Sequence, residues 1–306
     1  MRTCEMQKQI TEQTLAYAQT EYGNQYAFGI MQVTKANYAY TGLAIRPKDV
    51  ATYWNATLDL DELAKIVSDK GYGEKDNSIV EHAVDHFVET AIREQDKINF
   101  AIRTLEKYDA AKDQICIRLL DPERNQDFLK DKIVRPFLNL SEVVYAELTN
   151  ADGTVLSTCV PAERLHGWGK SANEVLDQAE ENTRSREYMI LQMPRFLYVE
   201  PNEEPKIHIA STADNLYGAS ILLTSRLWDF AKEQDSDLYI LPSSVHELLL
   251  IKKQDMNEPD ELVKIVKSVN RSDAIEAKDV LADCAYYLDK TTGEIKVLCE
   301  PDKTLN

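Results

Sequence analysis

The clearest pattern of apolar and polar positions lies between residues 78 and 93. Apolar pairs recur there every four residues, at 79/80, 83/84, 87/88 and 91/92. This spacing places the apolar side chains along one stripe of an α-helix. A polar-rich helix is also predicted over 4–21. Another is predicted from Asp59 onward, because Asp59 and Glu62 have capping-box spacing. The first third of the chain is therefore predicted to be rich in helix.

One hairpin interrupts these helices. Residues 26–34 and 39–46 are rich in apolar and aromatic side chains, and only Lys35 to Tyr38 separate them. Two such runs joined by so short a segment predict an antiparallel β-hairpin.

In the rest of the chain, short strand-like runs alternate with helical segments. Ser171 and Glu174 have capping-box spacing, which predicts a helix over 172–186. Asp152-Gly153 favours a tight turn between two strands, because glycine accepts a positive φ. The other predicted helices are 225–234 and one starting at Pro259, and the predicted strands are 115–120, 142–149, 154–159, 195–200, 206–211, 218–223, 238–241, 245–251, 284–288 and 294–299.

This order of elements predicts the fold class. Strands paired by short turns, with helices between the pairs, indicate an α+β fold with mainly antiparallel sheet. A polar stretch over 107–113 predicts a boundary near residue 110. We expect a helix-rich N-terminal region with one β-hairpin over 1–110 and an α+β region over 111–306. A single compact unit is the alternative.

Glycine is scarce, with 10 residues among 306. Phosphate-binding loops use glycine because the backbone has to approach the phosphate closely. The G-x-G pairs Gly71/Gly73 and Gly167/Gly169 are not followed by a third glycine. A P-loop NTPase and a Rossmann dinucleotide enzyme are therefore disfavoured, and no cofactor is predicted.

The chain is acidic, with a net charge of −17. Residues 1–108, 109–200 and 201–306 carry −4, −5 and −8, so the charge is spread along the chain. A diffuse negative field repels nucleic acid and anionic lipid. We expect no nucleic-acid or membrane binding, and a protein partner is the remaining possibility. The 15 tyrosines are a weak indication of protein contacts.

The five cysteines are Cys4, Cys116, Cys159, Cys284 and Cys299. The closest two are 15 residues apart. An odd number without tight spacing predicts reduced thiols and no C-x-x-C metal or redox site. The first residues have no apolar signal-peptide core, and no run approaches about 18 apolar residues. We therefore predict a bacterial protein of the cytoplasm.

His82 and His86 stand four residues apart on the predicted helix 78–93, a spacing at which two histidines can share a metal ion. The segment His82-Ala-Val-Asp-His86 also resembles the inverted zincin motif with Asp in place of Glu. On a helix, however, both histidines fall nearly opposite the apolar stripe. A solvent-exposed polar face is the favoured interpretation, and a metal site is the alternative.

A second polar group lies between two apolar runs near residue 245. Ser243, Ser244, His246 and Glu247 carry the functional groups of nucleophiles, bases and acids. Adjacent positions along one strand do not supply the geometry that a serine nucleophile needs. We therefore favour a structural role, in which a serine closes the turn while His246 and Glu247 bond backbone groups. A catalytic role is the alternative, because polar groups near a core gather at active sites.

A third candidate is the segment His166-Gly-Trp-Gly169. It predicts either a binding loop with an exposed tryptophan or a turn capped by a packed one. The packed tryptophan is favoured, because a buried aromatic side chain covers a large apolar area.

The stretch Leu238-Tyr-Ile-Leu-Pro-Ser-Ser-Val-His-Glu-Leu-Leu-Leu250 resembles an uncharacterised family of domain-of-unknown-function proteins from anaerobic gut Firmicutes. The other matching segments, in chain order, are Val33-Thr-Lys35, Thr41-Gly-Leu43, Arg118-Leu-Leu-Asp-Pro-Glu-Arg-Asn125, Glu181-Asn-Thr183, Tyr217-Gly-Ala219, Val269-Asn270 and Val280-Leu-Ala-Asp283. They span nearly the whole chain. The resemblance implies an intracellular protein that acts as one unit, and it implies no activity, cofactor or catalytic residue. His82 and His86 are not part of it.

These observations favour a non-catalytic interaction or accessory protein. The alternative is a hydrolase-type enzyme that uses the Ser243–Glu247 segment or a metal ion held by His82 and His86. A DNA-mimic inhibitor is a third interpretation, and the even spread of charge disfavours it.

Overall fold

The computed structural model describes residues 2–48, 56–69, 77–150, 152–193, 206–256, 259–272 and 274–299. The chain divides into two compact units. Unit 1 comprises Met1–Thr104 with Asn150–Leu156, and unit 2 comprises Leu105–Thr149 with Ser157–Asn306. The domain division at residue 110 stays a prediction.

Unit 1 consists of helices packed on one face of a three-stranded antiparallel sheet, in the order β1-β2-β3. Its core contains Ile10, Leu43, Leu60 and Val84, all buried. The elements are α1 (Arg2–Tyr22), β1 (Tyr26–Lys35), β2 (Tyr38–Pro47), β3 (Ala56–Asp59), α2 (Leu60–Asp69), α3 (Ser78–Arg93) and α4 (Gln95–Leu105).

The helix α3 forms where the apolar stripe predicted it. Val80, Val84, Val88 and Ala91 are its buried residues, at the spacing of one helix face. The β1–β2 hairpin also lies where it was predicted. Its turn is possible because Asn37 adopts a left-handed conformation with φ of 65°, which asparagine tolerates better than most residues.

Unit 2 contains two sheets. One has the order β4-β6-β5, with β7 also paired to β6, and the other has the order β13-β12-β10-β11-β9-β8. The strands are β4 (Ile115–Leu120), β5 (Val134–Phe137), β6 (Leu140–Thr149), β7 (Val155–Cys159, whose first two residues fall in unit 1), β8 (Tyr188–Gln192), β9 (Ile207–Thr212), β10 (Leu238–Pro242), β11 (Glu247–Lys252), β12 (Ala285–Leu288) and β13 (Ile295–Leu298). The helices are α5 (Tyr108–Ala111), α6 (Gln126–Leu129), α7 (Arg164–Trp168), α8 (Ala172–Arg184), α9 (Arg226–Glu233) and α10 (Pro259–Asn270).

Among the described residues, every strand pairing with a defined register is antiparallel, in both units. This confirms the predicted α+β class with antiparallel sheet. Both faces of β4 are buried, which explains why five of its six residues are apolar. None of the helices in the described ranges is long and apolar enough to cross a bilayer.

Some predicted elements differ from the observed ones. The strand predicted over 218–223 is a 3₁₀ helix whose six residues are all buried, and a fully apolar run does not distinguish the two by its pattern. Strand β11 begins at Glu247, two residues later than predicted. The reason is that the backbone of Val245 bonds outside the strand ladder, its N–H donating to the Asp279 carbonyl over 2.8 Å. The predicted strand 195–200 lies outside the described residues.

The cysteine prediction is wrong for two residues. Cys284 and Cys299 form a disulfide bond, whereas Cys116 and Cys159 are free. The cause is the antiparallel pairing of β12 with β13, in which Ala285 lies opposite Leu298. The two cysteines flank that pair, so the hairpin brings them together although they are 15 residues apart. Sequence spacing alone does not reveal such proximity.

The predicted capping box of α8 is present. Ser171 Oγ accepts a hydrogen bond from the Glu174 N–H, and Glu174 Oε2 accepts one from the Ser171 N–H at 2.9 Å. The Ser171 backbone and side chain, together with Lys170, lower the pKa of Glu174 from 4.5 to about 2. The stabilisation is therefore fully present above pH 4.5 and is lost as the pH falls towards 2.

We expect Glu174→Gln to remove this pH dependence. The free energy of unfolding of the wild type should exceed that of the variant above pH 4.5, and the difference should shrink as the pH falls to about 2. Urea denaturation at a series of pH values measures it, with Glu233→Gln at the end of α9 as the control. A difference that stays constant over this range would contradict the assigned cap.

Candidate functional site

The Ser243–Glu247 segment is a bend between β10 and β11. The Ser244 N–H donates to the Glu247 carbonyl over 3.2 Å, and the His246 N–H donates to Ser244 Oγ over 3.0 Å. Ser243 Oγ donates to Glu247 Oε1 over 3.1 Å. The serines and Glu247 are thus engaged within the bend itself.

Both ring nitrogens of His246 have neighbours. Its Nδ1 accepts a hydrogen bond from the Tyr217 N–H at 3.1 Å, which assigns the ring proton of the neutral imidazole to Nε2. Nε2 lies 3.4 Å from Asp279 Oδ1. The Tyr217 ring packs beside the imidazole, with a centroid separation of 4.9 Å. His246 therefore joins three parts of unit 2, and its Nδ1 already accepts a hydrogen bond from a backbone N–H.

The backbone at His246 is also fixed. Its carbonyl accepts hydrogen bonds from the Gly218 N–H at 2.9 Å and from Ser211 Oγ at 2.7 Å. A Cβ atom on Gly218 would lie 2.5 Å from this same oxygen. The approach of the 3₁₀ helix to the bend therefore requires glycine at position 218.

The structure does not bring a serine hydroxyl to the His246 ring. Ser244 Oγ bonds the backbone N–H of His246, and Ser243 Oγ bonds Glu247. A serine nucleophile needs a base in hydrogen-bonding reach. The contacts found at Ser243, Ser244, His246 and Glu247 are those of a bend that joins neighbouring elements.

Arg118 is a buried cation that the sequence analysis did not single out. Its guanidinium carbon lies 4.2 Å from the Tyr145 ring centre and 3.2 Å from the Tyr217 ring centre. Nη2 bonds Glu147 Oε1 at 3.0 Å and also contacts Ser157 Oγ. The sequence feature that could have revealed Arg118 is its position inside the apolar run of β4, because a buried charge needs partners.

The same region holds two free thiols. Burial raises the pKa of Cys116 to about 12 and that of Cys159 to about 12. Since the thiolate is the reactive form, burial disfavours both side chains as nucleophiles. They are apolar contributions to the packing around β4 and β6.

A second feature missed by the sequence analysis is a cavity of about 470 Å³ in unit 2, partly lined by Glu142, Glu180 and Arg184. Burial raises the pKa of Glu142, and Arg135 opposes the shift. Arg135 Nη2 lies 2.7 Å from Glu142 and 2.6 Å from Glu180, while Arg184 also pairs with Glu180. Both carboxylates are thus neutralised by arginines, as in a structural ion-pair network.

His82 and His86 lie exposed on α3, on the side opposite its buried residues. Their position on the polar face agrees with the helical geometry of the sequence. In the described ranges, no third His, Cys, Asp or Glu joins them in a group that could hold a metal ion. A metal site here would need ligands from elsewhere.

Trp168 is packed. It is buried, its Nε1 donates to the Leu105 carbonyl over 3.0 Å, and its ring lies 5.5 Å from that of Tyr108. Gly169 ends α7 in the left-handed conformation, with φ of 61°. The His166–Gly169 segment is therefore a helix end capped by glycine.

The outer face of the β1–β2 hairpin carries a different kind of surface. Alternation along the strands puts Leu43 and Ile45 on the core side. We name the opposite side the hairpin face: it consists of Ala27, Gly29, Met31, Val33 and Lys35 on β1 and Tyr38, Tyr40, Gly42, Ala44 and Arg46 on β2.

The hairpin face is apolar, and it is accessible at Met31 and Tyr38, whereas Tyr40 and Gly42 within it are buried. Met31 is 42% exposed and Tyr38 is 40% exposed. The Tyr38 and Tyr40 rings stack with a centroid separation of 5.8 Å, and a Cβ atom on Gly29 would meet no atom within 4 Å. Aromatic and methionine side chains grouped on an accessible surface are typical of interaction sites.

The charge around the hairpin face is also unusual. Residues 22–48 contain no Asp or Glu, whereas 52 of the 306 residues in the chain are acidic. The cations in this stretch are Lys35, Arg46 and Lys48, and the first two are exposed on the hairpin face. The neighbouring strand β3 adds Asp59, whose carboxylate accepts hydrogen bonds from the N–H groups of Asp61 and Glu62.

Comparison with known proteins places the chain in a family without assigning a site. No curated protein and no solved structure matches it. The model of a family of unknown function, DUF5688, matches residues 4–290. Because this match covers nearly the whole chain, the protein belongs to the DUF5688 family.

Proposed function

We propose that this DUF5688 protein is a non-catalytic interaction or accessory protein that contacts a partner protein through the hairpin face. The observation that carries the proposal is the exposure of Met31 and Tyr38 on an apolar sheet face. Single exposed apolar residues are common, but an apolar cluster on one face indicates an interaction site.

The hydrolase alternative has less support. It would need the His246 ring to give up its contact with the Tyr217 N–H before the ring could accept a serine proton. The metal version would need ligands beyond His82 and His86. We therefore retain the interaction protein as the proposed function.

The predicted setting, the cytoplasm of a gut bacterium of the Firmicutes, remains part of the proposal. The Cys284–Cys299 bond bears on it, because disulfide bonds are rare in cytosolic proteins and persist in oxidising compartments. If the bond is found in protein taken from its native cells, an oxidising compartment replaces the cytoplasm in the proposal.

The proposal is tested with displayed protein fragments from the genome that encodes the chain. Fragments that bind the wild type should bind the Met31→Asp/Tyr38→Asp variant at least about ten-fold more weakly, because a buried aromatic anchor contributes about 2 kcal/mol or more. The control is Ile92→Asp/Val155→Asp, which adds the same charge at other exposed apolar positions of unit 1.

The control variant should bind the selected fragments like the wild type, and circular dichroism confirms that both variants are folded. If every selected fragment binds the Met31→Asp/Tyr38→Asp variant as tightly as the wild type, the hairpin face is not the contact and the proposed function fails.

A further inference from the structure

We infer that the hairpin face accepts an acidic amphipathic helix of a partner protein, with carboxylates near both ends of the contact. The inference rests on the proposed function and specifies the partner's chemistry. It starts from the two exposed cations, Lys35 and Arg46, at opposite ends of an otherwise apolar face. No acidic residue occurs between positions 22 and 48 of the sequence.

The charges argue against a second copy of the chain as the occupant. In a two-fold contact the same patch meets itself, so the only charged groups that Lys35 and Arg46 could meet within the patch are cations. Like charges placed opposite one another are destabilising. A partner with carboxylates at these two positions removes that repulsion.

The separation of the cations matches a helix. Arg46 lies opposite Ala27, and Tyr38 lies opposite Lys35, so the cations are eight residues apart along β1. At about 3.3 Å per residue this is about 26 Å. Eighteen residues of α-helix make five full turns and rise about 27 Å. Acidic residues at positions i and i+18 therefore share one helix face and reach both cations.

A helix also suits the surface better than an extended strand does. The hairpin face presents side chains, whereas an added strand would bind the backbone groups at the free edge of β1. Two strands lie about 5 Å apart, so a helix about 10 Å in diameter covers both of them. Met31, Val33 and Tyr38 then contact its apolar stripe.

The experiment uses three synthetic 22-residue helical peptides and the full-length chain. The first peptide carries an apolar stripe with glutamates at positions 2 and 20. The second has lysine at both positions, and the third moves the second glutamate to position 11, on the opposite helix face. We expect the first peptide to bind about ten-fold more tightly than the second, because two ion pairs become two repulsions. The third should be intermediate.

A charge reversal in the protein completes the test. Lys35→Glu/Arg46→Glu should prefer the lysine peptide, whereas Lys8→Glu, at an exposed position of α1, should keep the wild-type order. The binding of the first peptide to the wild type should weaken as salt is raised.

The outcomes are distinguishable. Equal binding of the glutamate and lysine peptides would overturn the inference, while fragments selected on the hairpin face would still support the proposed function. A wild-type dimer that becomes monomeric on Met31→Asp/Tyr38→Asp substitution would make a second copy the occupant and would also overturn it. An extended peptide that protects the β1 edge from hydrogen exchange would also overturn the inference, because the partner would then bind as an added strand.

Discussion

Replacing Gly218 with alanine is expected to destabilise unit 2 by about 3 kcal/mol or more, because overpacking of a close backbone contact forces the main chain to move. A Cβ atom there would lie 2.5 Å from the His246 carbonyl oxygen and 2.6 Å from Ser211 Cα. Both are backbone atoms in the sheet or the bend, so no side-chain rotation relieves the overlap. The movement would also strain the two hydrogen bonds that the His246 carbonyl accepts from the Gly218 N–H and Ser211 Oγ.

Urea denaturation of Gly218→Ala and of a matched glycine variant measures this effect. The control is Gly167→Ala in α7, where a Cβ atom meets nothing within 4 Å. Alanine there should leave stability unchanged or raise it by up to about 1 kcal/mol, because glycine is the weaker helix former. Equal stabilities of the two variants would show that the 3₁₀ helix does not approach the bend as closely as described.

Removing the disulfide bond is expected to have the second large effect. Cys284 and Cys299 close a loop of 15 residues, and cross-linking a loop of this size restricts the unfolded chain by about 3 kcal/mol. Cys284→Ser/Cys299→Ser should therefore lower the melting temperature by about 6–12 °C for a unit of this size. The expected cause is greater freedom of the unfolded chain, with the β12–β13 pairing kept.

The measurement compares thermal unfolding with and without a reductant. Reduction should destabilise the wild type to the level of the double-serine variant and should leave that variant unchanged. The control is Cys159→Ser, because Cys159 is free and its reduction state does not change. A wild type that responds to the reductant no more than the double-serine variant would contradict the disulfide bond.

The elements that were predicted correctly are those whose apolar and polar pattern lies within the element itself. The stripe at Val80, Val84 and Val88 gave the limits of α3, and the run from Ile115 to Leu120 gave those of β4. The segment at Gly218–Leu223 was misassigned, because a short apolar run is compatible with a buried strand and with a buried 3₁₀ helix. Its conformation depends on the bend at His246, which lies far away in the sequence.

The candidate site was predicted only in part for the same reason. The sequence indicated that His246 and Glu247 were polar groups near a core that needed partners. It did not indicate that Tyr217 and Asp279 would occupy the His246 ring, since these residues are distant in the chain. Arg118 was visible as an arginine inside an apolar strand, but its two tyrosine neighbours come from other elements.

The hairpin face illustrates which features the sequence determined and which features only the tertiary structure decided. The sequence by itself determined the β1–β2 hairpin, its acid-free composition and the antiparallel α+β class, because these depend on neighbouring residues. The tertiary structure decided which side of the hairpin packs on the helices of unit 1 and which side stays accessible. It also joined Cys284 to Cys299 and placed Gly218 against His246. Such contacts arise from long-range packing, which leaves no periodic signal in the chain.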